Sequence, residues 1–330
     1  MRFDIRYRTV FTYTELVSES QNELRACPTS DECQRLLDYR VAVSPSARVV
    51  SFVDSWGTRV DAFGVRKPHL SMEVVAEAAV ETRPRPLPTA APNLSALERP
   101  DFVDAHYEFL QSDRNTAGSR GVAEAARRQV ELAGPDVVGA ILAIQRFIGG
   151  SLRYEPGATT IGIEVERVLA SGVGVCQDFA HLAIAMCRAV GIPARYVSGY
   201  LFTEDDQQGG DTGSDTVVVQ THAWIEAAVP GWGWLALDPT NGQPVGERHV
   251  KIGHGCSYDD VQPLRGVFLG PASSDVQPRV EIRRVNGTEL WRAASLAAEG
   301  HTPAIPARRS SAPTLGAAGV QQHQQHQQQQ

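Results

Sequence analysis

Five prolines, Pro84, Pro86, Pro88, Pro92 and Pro100, crowd one short stretch of this 330-residue chain. Each fixes φ and removes a backbone donor, so no helix or inner strand is expected to run through residues 83 to 100. The chain must therefore build one unit before this linker and another after it. At roughly 150 residues per domain, the length also suits about two domains.

Before the linker the sequence has a period of two. Phe3, Ile5 and Tyr7 alternate with polar residues, and Phe11 and Tyr13 continue the pattern. Residues 40 to 43, 49 to 53, 59 to 63 and 70 to 80 are further strand candidates, divided by turn signals such as Pro45, Ser55-Trp56-Gly57 and Lys67-Pro68. Several short strands of this kind predict a small β-sandwich over residues 1 to 82.

After the linker the period lengthens. Residues 121 to 133 predict a helix. Asp136 is placed to cap a second one, in which Val137, Ile141, Ile144 and Ile148 share a face. Residues 176 to 190 predict a third. Strands follow at 195 to 202, 217 to 229 and 233 to 237, which makes the expected fold class α+β. Residues 101 to 298 are expected to form one core with a C-terminal extension. The acidic, Gly-rich run 204 to 215 predicts a mobile loop. Residues 299 to 330 end in a Gln/His tract that cannot bury a core, so a disordered tail is expected there.

Composition narrows the function classes. A hydrophobic fraction of 42% is that of a globular protein, and a net charge of −7 argues against a nucleic-acid partner. No apolar run approaches the ~20 residues of a membrane span, and the alternating first six residues do not predict an exported segment. Five sparse cysteines do not read as a disulfide framework, so a cytoplasmic setting is expected.

One of those thiols stands out. Cys176 follows Ser171-Gly172-Val173-Gly174-Val175 and opens a helix in which Phe179, Ala180, Ala183, Cys187 and Val190 form one apolar stripe. The unpaired N–H groups and the macrodipole at a helix start stabilise a thiolate, and the same groups can hold an oxyanion. The competing reading makes Cys176 the first core residue of a buried helix. His181 lies roughly 140° round the helix from Cys176 and cannot meet its side chain. A polar-face or supporting role is expected for it. Gln177 and Asp178 also point away from the thiol.

The base must come from elsewhere. Residues 221 to 227 and 233 to 238 read as a hairpin around Pro230-Gly231. If the hairpin is symmetric about residue 230, His222 and Asp238 lie directly opposite on one face, with Cβ atoms ~4.5–5.5 Å apart. Glu226 shares that face but sits roughly 13 Å along the strand, too far to orient the ring.

These segments bear a family likeness. Gly174 to Ala180, Gly191 to Tyr200, Thr221-His222-Ala223-Trp224, and Gly233-Trp234 through Leu237-Asp238-Pro239-Thr240 resemble, in order, the core of the bacterial transglutaminase-like superfamily. The resemblance covers about residues 105 to 270. It implies a papain-like core in which a Cys-bearing helix packs on an antiparallel sheet, with Cys176, His222 and Asp238 at the triad positions. Ser20, Asn22, Leu24-Arg25, Pro28, Asp54, Gly57 and Pro68-His69-Leu70 resemble the β-domain that precedes this core in bacterial members. One run departs from the family pattern: Cys256-Ser257 stand where relatives carry Arg-Asp, which puts the specificity of the site in question.

The chemistry so implied is acyl transfer from an amide through a thioester. The substrate is a protein or peptide offering a Gln or Asn side chain or a backbone amide, and water or a primary amine is the acceptor. Tyr154, Trp224 and Gln177 are the candidates for oxyanion or substrate contact. No cofactor or metal is required. Two rivals remain. His249, His254 and Cys256, with His222, offer a metal-ligand set whose spacing fits no closed zinc pattern. A transglutaminase-like fold can also serve as a non-catalytic protein- or peptide-binding scaffold.

Overall fold

The alternating apolar residues of the first strand need a partner sheet to cover them, and the chain supplies it from both ends. The structure, a computed structural model, describes residues 1–203, 216–285 and 320–324. Six strands come first: β1 (Arg2–Val17), β2 (Glu19–Leu24), β3 (Gln34–Ser44), β4 (Val49–Val53), β5 (Arg59–Val65) and β6 (His69–Thr82). Helices α1 (Pro100–Ala105), α2 (Arg120–Ala133) and α3 (Val137–Ser151) follow, then β7 (Arg153–Tyr154), α4 (Val165–Ser171), β8 (Val173–Gly174) and α5 (Cys176–Ala189). Strands β9 (Ala194–Leu201), β10 (Thr216–Val219), β11 (Thr221–Val229), β12 (Gly233–Asp238), β13 (Gln243–Pro244) and β14 (His249–Gly255) come next. The last three are β15 (Leu264–Leu269), β16 (Ser274–Arg284) and β17 (Val320–Gln324).

Two five-stranded sheets, β10-β16-β1-β6-β3 and β17-β15-β2-β5-β4, face each other as a sandwich. Phe3, Phe11, Met72 and Val280 from one sheet meet Leu24, Phe63, Val65 and Phe268 from the other in a single buried core. The sandwich is not built from residues 1 to 82 alone. β1 is an inner strand, and its second edge needs backbone partners that only β16 provides, from Phe3↔Arg284 to Tyr13↔Ser274. The C-terminal extension therefore belongs to the first domain's sheets. The single strand expected over 217 to 229 also divides: β10 pairs with β16, whereas β11 enters the other domain.

The proline-rich segment is less of a free spacer than its composition predicts. Residues 94 to 98 form a short 3-10 turn, with the Asn93 side chain accepting from the Ser95 N–H, and Leu97 is buried against the core. Pro100 then opens α1, where a missing N–H costs nothing.

In the second domain, α5 packs on the antiparallel sheet β13-β12-β11-β9-β14. Every residue from Cys176 to Arg188 is buried, so α5 is a central helix and not the one-sided helix its stripe suggested. Ala223, Ile225 and Ala227 of β11 share its core with Ile141 and Ile144 of α3. The tail differs from expectation at one place: residues 320 to 324 pair antiparallel with β15, whose outer edge offers backbone groups to any extended segment. The loop expected over 204 to 215 and the rest of the tail from residue 299 lie outside the described residues. No helix among the described residues is long and apolar enough to cross a membrane.

Candidate active site

The thiol is set by the way α5 begins. Gly172 ends α4 in the left-handed region, at φ 69°. Gly174 then passes so close to Asp178 that an added Cβ would press on its side chain. Val175 is the N-cap, and its N–H is accepted by Asp178 Oδ2 at 2.9 Å. Thr159 Oγ1 donates to the same oxygen. Burial pushes the Asp178 carboxyl up, while these two bonds pull it down; burial prevails. Cys176 is the first helical residue, and it is only 2% exposed.

His222 joins two partners. Its Nε2 lies 2.8 Å from Asp238 Oδ2, and the Cys176 side chain is its second hydrogen-bond partner. Burial disfavours the imidazolium, but the bonds to Asp238 and Cys176 outweigh it and push His222 up to about 10. The predicted trio therefore meets at one place.

The register that brings it together is not the predicted one. The pairs run from Val229↔Gly233 to Ile225↔Leu237, so the turn is centred on Gly231, not Pro230. Continued, this register sets Asp238 across from Trp224 and diagonal to His222. The shift moves the partner by two residues, which preserves the face; a shift of one would have turned Asp238 away.

Asp238 is fully buried and holds five hydrogen bonds. Oδ1 accepts from the Thr240 and Asn241 N–H groups at 3.0 and 3.1 Å. Oδ2 accepts from His222, from Asn241 Nδ2 at 2.7 Å and from His249 Nε2 at 3.1 Å. Burial alone would favour the neutral acid, yet the bonds from His222 and His249 hold this carboxyl well below the usual carboxylate range. Gln145 of α3 fastens the strand end from behind, donating to the Asp238 carbonyl at 3.2 Å.

His249, assigned above to a metal alternative, belongs to this network. Its Nδ1 accepts from the Gly246 N–H at 3.3 Å, so its Nε2 carries the hydrogen given to Asp238. His222, Asp238 and His249 place ligand atoms within 4.8 Å of one another. The two Nε2 atoms are already spent on the carboxylate, so a metal would have to break both bonds. The other members of the alternative set lie elsewhere: His254 is bonded to Arg195 at 3.0 Å, and Cys256 Sγ to the Glu108 carbonyl at 3.5 Å.

The remaining sequence candidates are scattered. Tyr154, on β7 beside Gly174, is 45% exposed. Burial, with the Cys176 charge as a smaller cause, pushes its phenol up to about 12. Gln177 is buried in the first turn of α5. Trp224 packs in a buried cluster with Val197, Ala236 and Val245, and its ring stands 6.1 Å from that of His222 and 5.4 Å from that of His249. His181 is not on a polar face: it is buried and accepts the Tyr258 N–H through Nε2 at 3.2 Å. Burial pushes it down to about 4. Glu226 is bound to Lys251 and Arg195, in keeping with its exclusion as the orienting acid.

The Cys256-Ser257 run lies at the far end of α5. Arg188 Nη2 donates to the Cys256 carbonyl at 2.9 Å, and Asn115 Nδ2 to Ser257 Oγ at 3.1 Å. Twelve residues at 1.5 Å each put Arg188 about 18 Å along the helix from Cys176. The departure from the family pattern therefore bears on how the end of α5 is anchored.

Residues 123–239 match the model of the transglutaminase-like superfamily core, and residues 3–81 match the bacterial transglutaminase-like N-terminal region. An uncharacterised protein of Mycobacterium leprae is 34% identical over 86% of this chain and 99% of its own length. This chain belongs to the transglutaminase-like superfamily. A solved structure of a candidate cysteine protease from Cytophaga hutchinsonii is 25% identical, with a TM-score of 0.65, over 88% of this chain and 93% of that one. A protein-glutamine gamma-glutamyltransferase of Pseudomonas aeruginosa is 36% identical over 29% of this chain, but that match spans only 14% of its own length.

Two things escaped the sequence. Asn241 follows Asp238-Pro239-Thr240, and that Asp-x-x-Asn spacing is a turn signature in which the side chains bond nearby backbone. It could have been read. His249 could not: it reaches Asp238 from a strand on the opposite side of β9, by a pairing that no local spacing announces.

Proposed function

We propose that this protein is a cysteine-dependent acyl-transfer enzyme acting on amide bonds of a protein or peptide. The observation that carries this reading is the placement of His222 between Cys176 and Asp238. His222 takes the proton from Cys176 Sγ, and Asp238 holds the resulting imidazolium. The thiolate attacks the carbonyl carbon of a Gln or Asn side chain or of a peptide bond. The main chain at the start of α5, with Tyr154 as a side-chain candidate, receives the oxyanion. His222 returns the proton to the departing nitrogen, and a thioester is left on Cys176. Water then releases an acid, or a primary amine forms a new amide; either acceptor gives its proton to His222.

Hydrolysis is the favoured outcome, because amine transfer among the abundant amines of a cell would need tight control. The five cysteines form no disulfide among the described residues, which suits a reducing compartment, and the cytoplasm is the proposed location. The test is mass spectrometry of glutaminyl peptides incubated with and without a primary amine. A gain of one oxygen for an NH marks deamidation, a split peptide marks proteolysis, and an added amine marks transfer. All three should vanish in Cys176→Ala. Turnover that persists in that variant sinks the proposal.

The burial of Cys176 favours a second reading, a non-catalytic binding scaffold. Iodoacetamide at neutral pH separates the two. Fast labelling of Cys176 that His222→Ala abolishes supports the enzyme; labelling no faster than that of Cys187 or Cys256 supports the scaffold.

A further inference from the structure

A cavity of about 570 Å³ opens at the seam between the sandwich and the second domain, within the usual range for a small-molecule site. Trp56 and Asp31 come from the sandwich, Arg85 from the linker, and Arg195, Lys251 and Trp234 from the second domain. The seam is fastened. Gln34 exchanges two side-chain bonds with the Lys251 backbone at 2.8 Å each, and the Thr29 N–H donates to the same Lys251 carbonyl at 3.0 Å. The walls are thus set by contacts between the two units.

Charge on one wall is out of balance. Lys251 Nζ lies 2.7 and 2.8 Å from the two oxygens of Glu226, and Arg195 Nε lies 2.6 Å from Oε2. Two cations therefore share one anion, and all three side chains are at most 13% exposed. The excess belongs to this buried trio, and the one uncompensated anion of the lining, Glu32, lies in the solvent-exposed part of the wall. Arg85 and Asp31 neutralise each other at 2.8 Å, and His254 accepts a hydrogen from Arg195 and is neutral. A net positive charge held out of water is costly unless an anion completes it. Lys251 uses two of its three N–H groups on Glu226, which leaves one for a ligand.

Beside polar residues such as Thr29 and Ser30, the lining offers flat apolar surface from Trp56, Trp232 and Trp234. The Arg195 guanidinium lies 3.9 Å from the centroid of the Trp234 ring, which holds it in place by a cation–π contact. Trp232, 41% exposed, stands at the mouth. We propose that this cavity is a second binding site, independent of the Cys176 centre, for a monoanion that joins a carboxylate to an aromatic or similarly flat apolar body. The carboxylate meets Lys251 and Arg195, and the body lies among the tryptophans. The buried Trp224 cluster, whose Ala236 and Val245 also line the cavity, divides this site from His222.

Such a carboxylate can belong to a free aromatic acid or to the C-terminus of a peptide. The test is calorimetric titration of the full chain at pH 7 with 3-phenylpropionate and with Ala-Ala-Phe as the free acid, each beside its neutral amide. At least one acid should bind, and its amide at least tenfold more weakly; the acid that binds identifies the source. Lys251→Met, which leaves Arg195 and Glu226 as a balanced pair, should lose at least tenfold in affinity. Trp232→Ala should lose severalfold. Binding by neither acid, equal binding by acid and amide, or undiminished binding by a folded Lys251→Met overturns the proposal. If Lys251→Met does not fold, Trp232→Ala decides alone, and undiminished binding there overturns it.

Discussion

His249 Nε2 lies 3.1 Å from Asp238 Oδ2, the oxygen that His222 also uses. One carboxylate thus orients two imidazoles, and the tautomer of the second is fixed by the Gly246 N–H. His249 holds Asp238, and through it His222. A hydrogen bond to a charged group contributes about 1.5–3 kcal/mol. His249→Phe should therefore lower kcat roughly 10–100-fold. His249→Gln, which restores a donor, should recover part of the rate. Equal loss in both variants would mean that the ring matters for packing alone.

Asp238→Asn tests the carboxylate itself. His222 is pushed up to about 10 with Asp238 as a cause, so the protonated pair persists at neutral pH and is lost as pH rises through about 10. The wild-type kcat/KM should fall over that upper range. In Asp238→Asn the limb should move toward the ordinary histidine value near 6.5, with a rate loss of roughly 10²–10⁴-fold at pH 7. The stability counterpart has the same sign. The contribution of His222 is complete below about 6.5 and disappears as pH climbs through about 10. Denaturant midpoints measured at pH 6, 8 and 10.5 should decline in the wild type and change less in the variant.

How far the sequence led is clearest at these residues. Cys176 was legible because a glycine-flanked helix start is a local feature, and His222 and Asp238 because a hairpin converts spacing into proximity. Pro230-Gly231 marks a turn without saying which residue is its centre; the sequence reading centres it on Pro230, whereas the chain reverses around Gly231. Because strand faces have a period of two, the resulting two-residue slip did not change the outcome. β2 was invisible: Glu19–Leu24 is almost wholly polar, and it pairs because Ser20 and Asn22 are satisfied in the interior, bonded to one another at 3.2 Å. The return of β16 to β1 was invisible as well, for it joins residues some 280 positions apart and leaves no local period.

Gly199→Ala probes the packing behind the site. A methyl group at this position of β9 would overlap the Val250 carbonyl oxygen and the ring of Trp224. Overpacking of this kind costs about 1–3 kcal/mol. The urea midpoint should fall accordingly. Turnover should fall too, because Trp224 stands beside both His222 and His249. An unchanged midpoint would show that the strand yields there easily.

Arg188→Lys separates stability from chemistry. The guanidinium donates to the carbonyls of Phe109, Gln111, Ala194 and Cys256 and to Thr116 Oγ1, at 2.6 to 3.2 Å. Burial pushes its pKa down, and nearby acidic groups and thiols oppose that only in part. An ammonium has three donors and cannot reproduce the planar fork, so buried carbonyls are left unsatisfied at about 1–3 kcal/mol each, partly relieved by relaxation. A loss of about 2–4 kcal/mol in chemical denaturation is expected. Cys176 is some 18 Å away along α5, so kcat below the melting temperature should stay within about threefold of wild type. A large drop in kcat without a drop in stability would mean that the C-terminal anchor of α5 sets the position of the thiol.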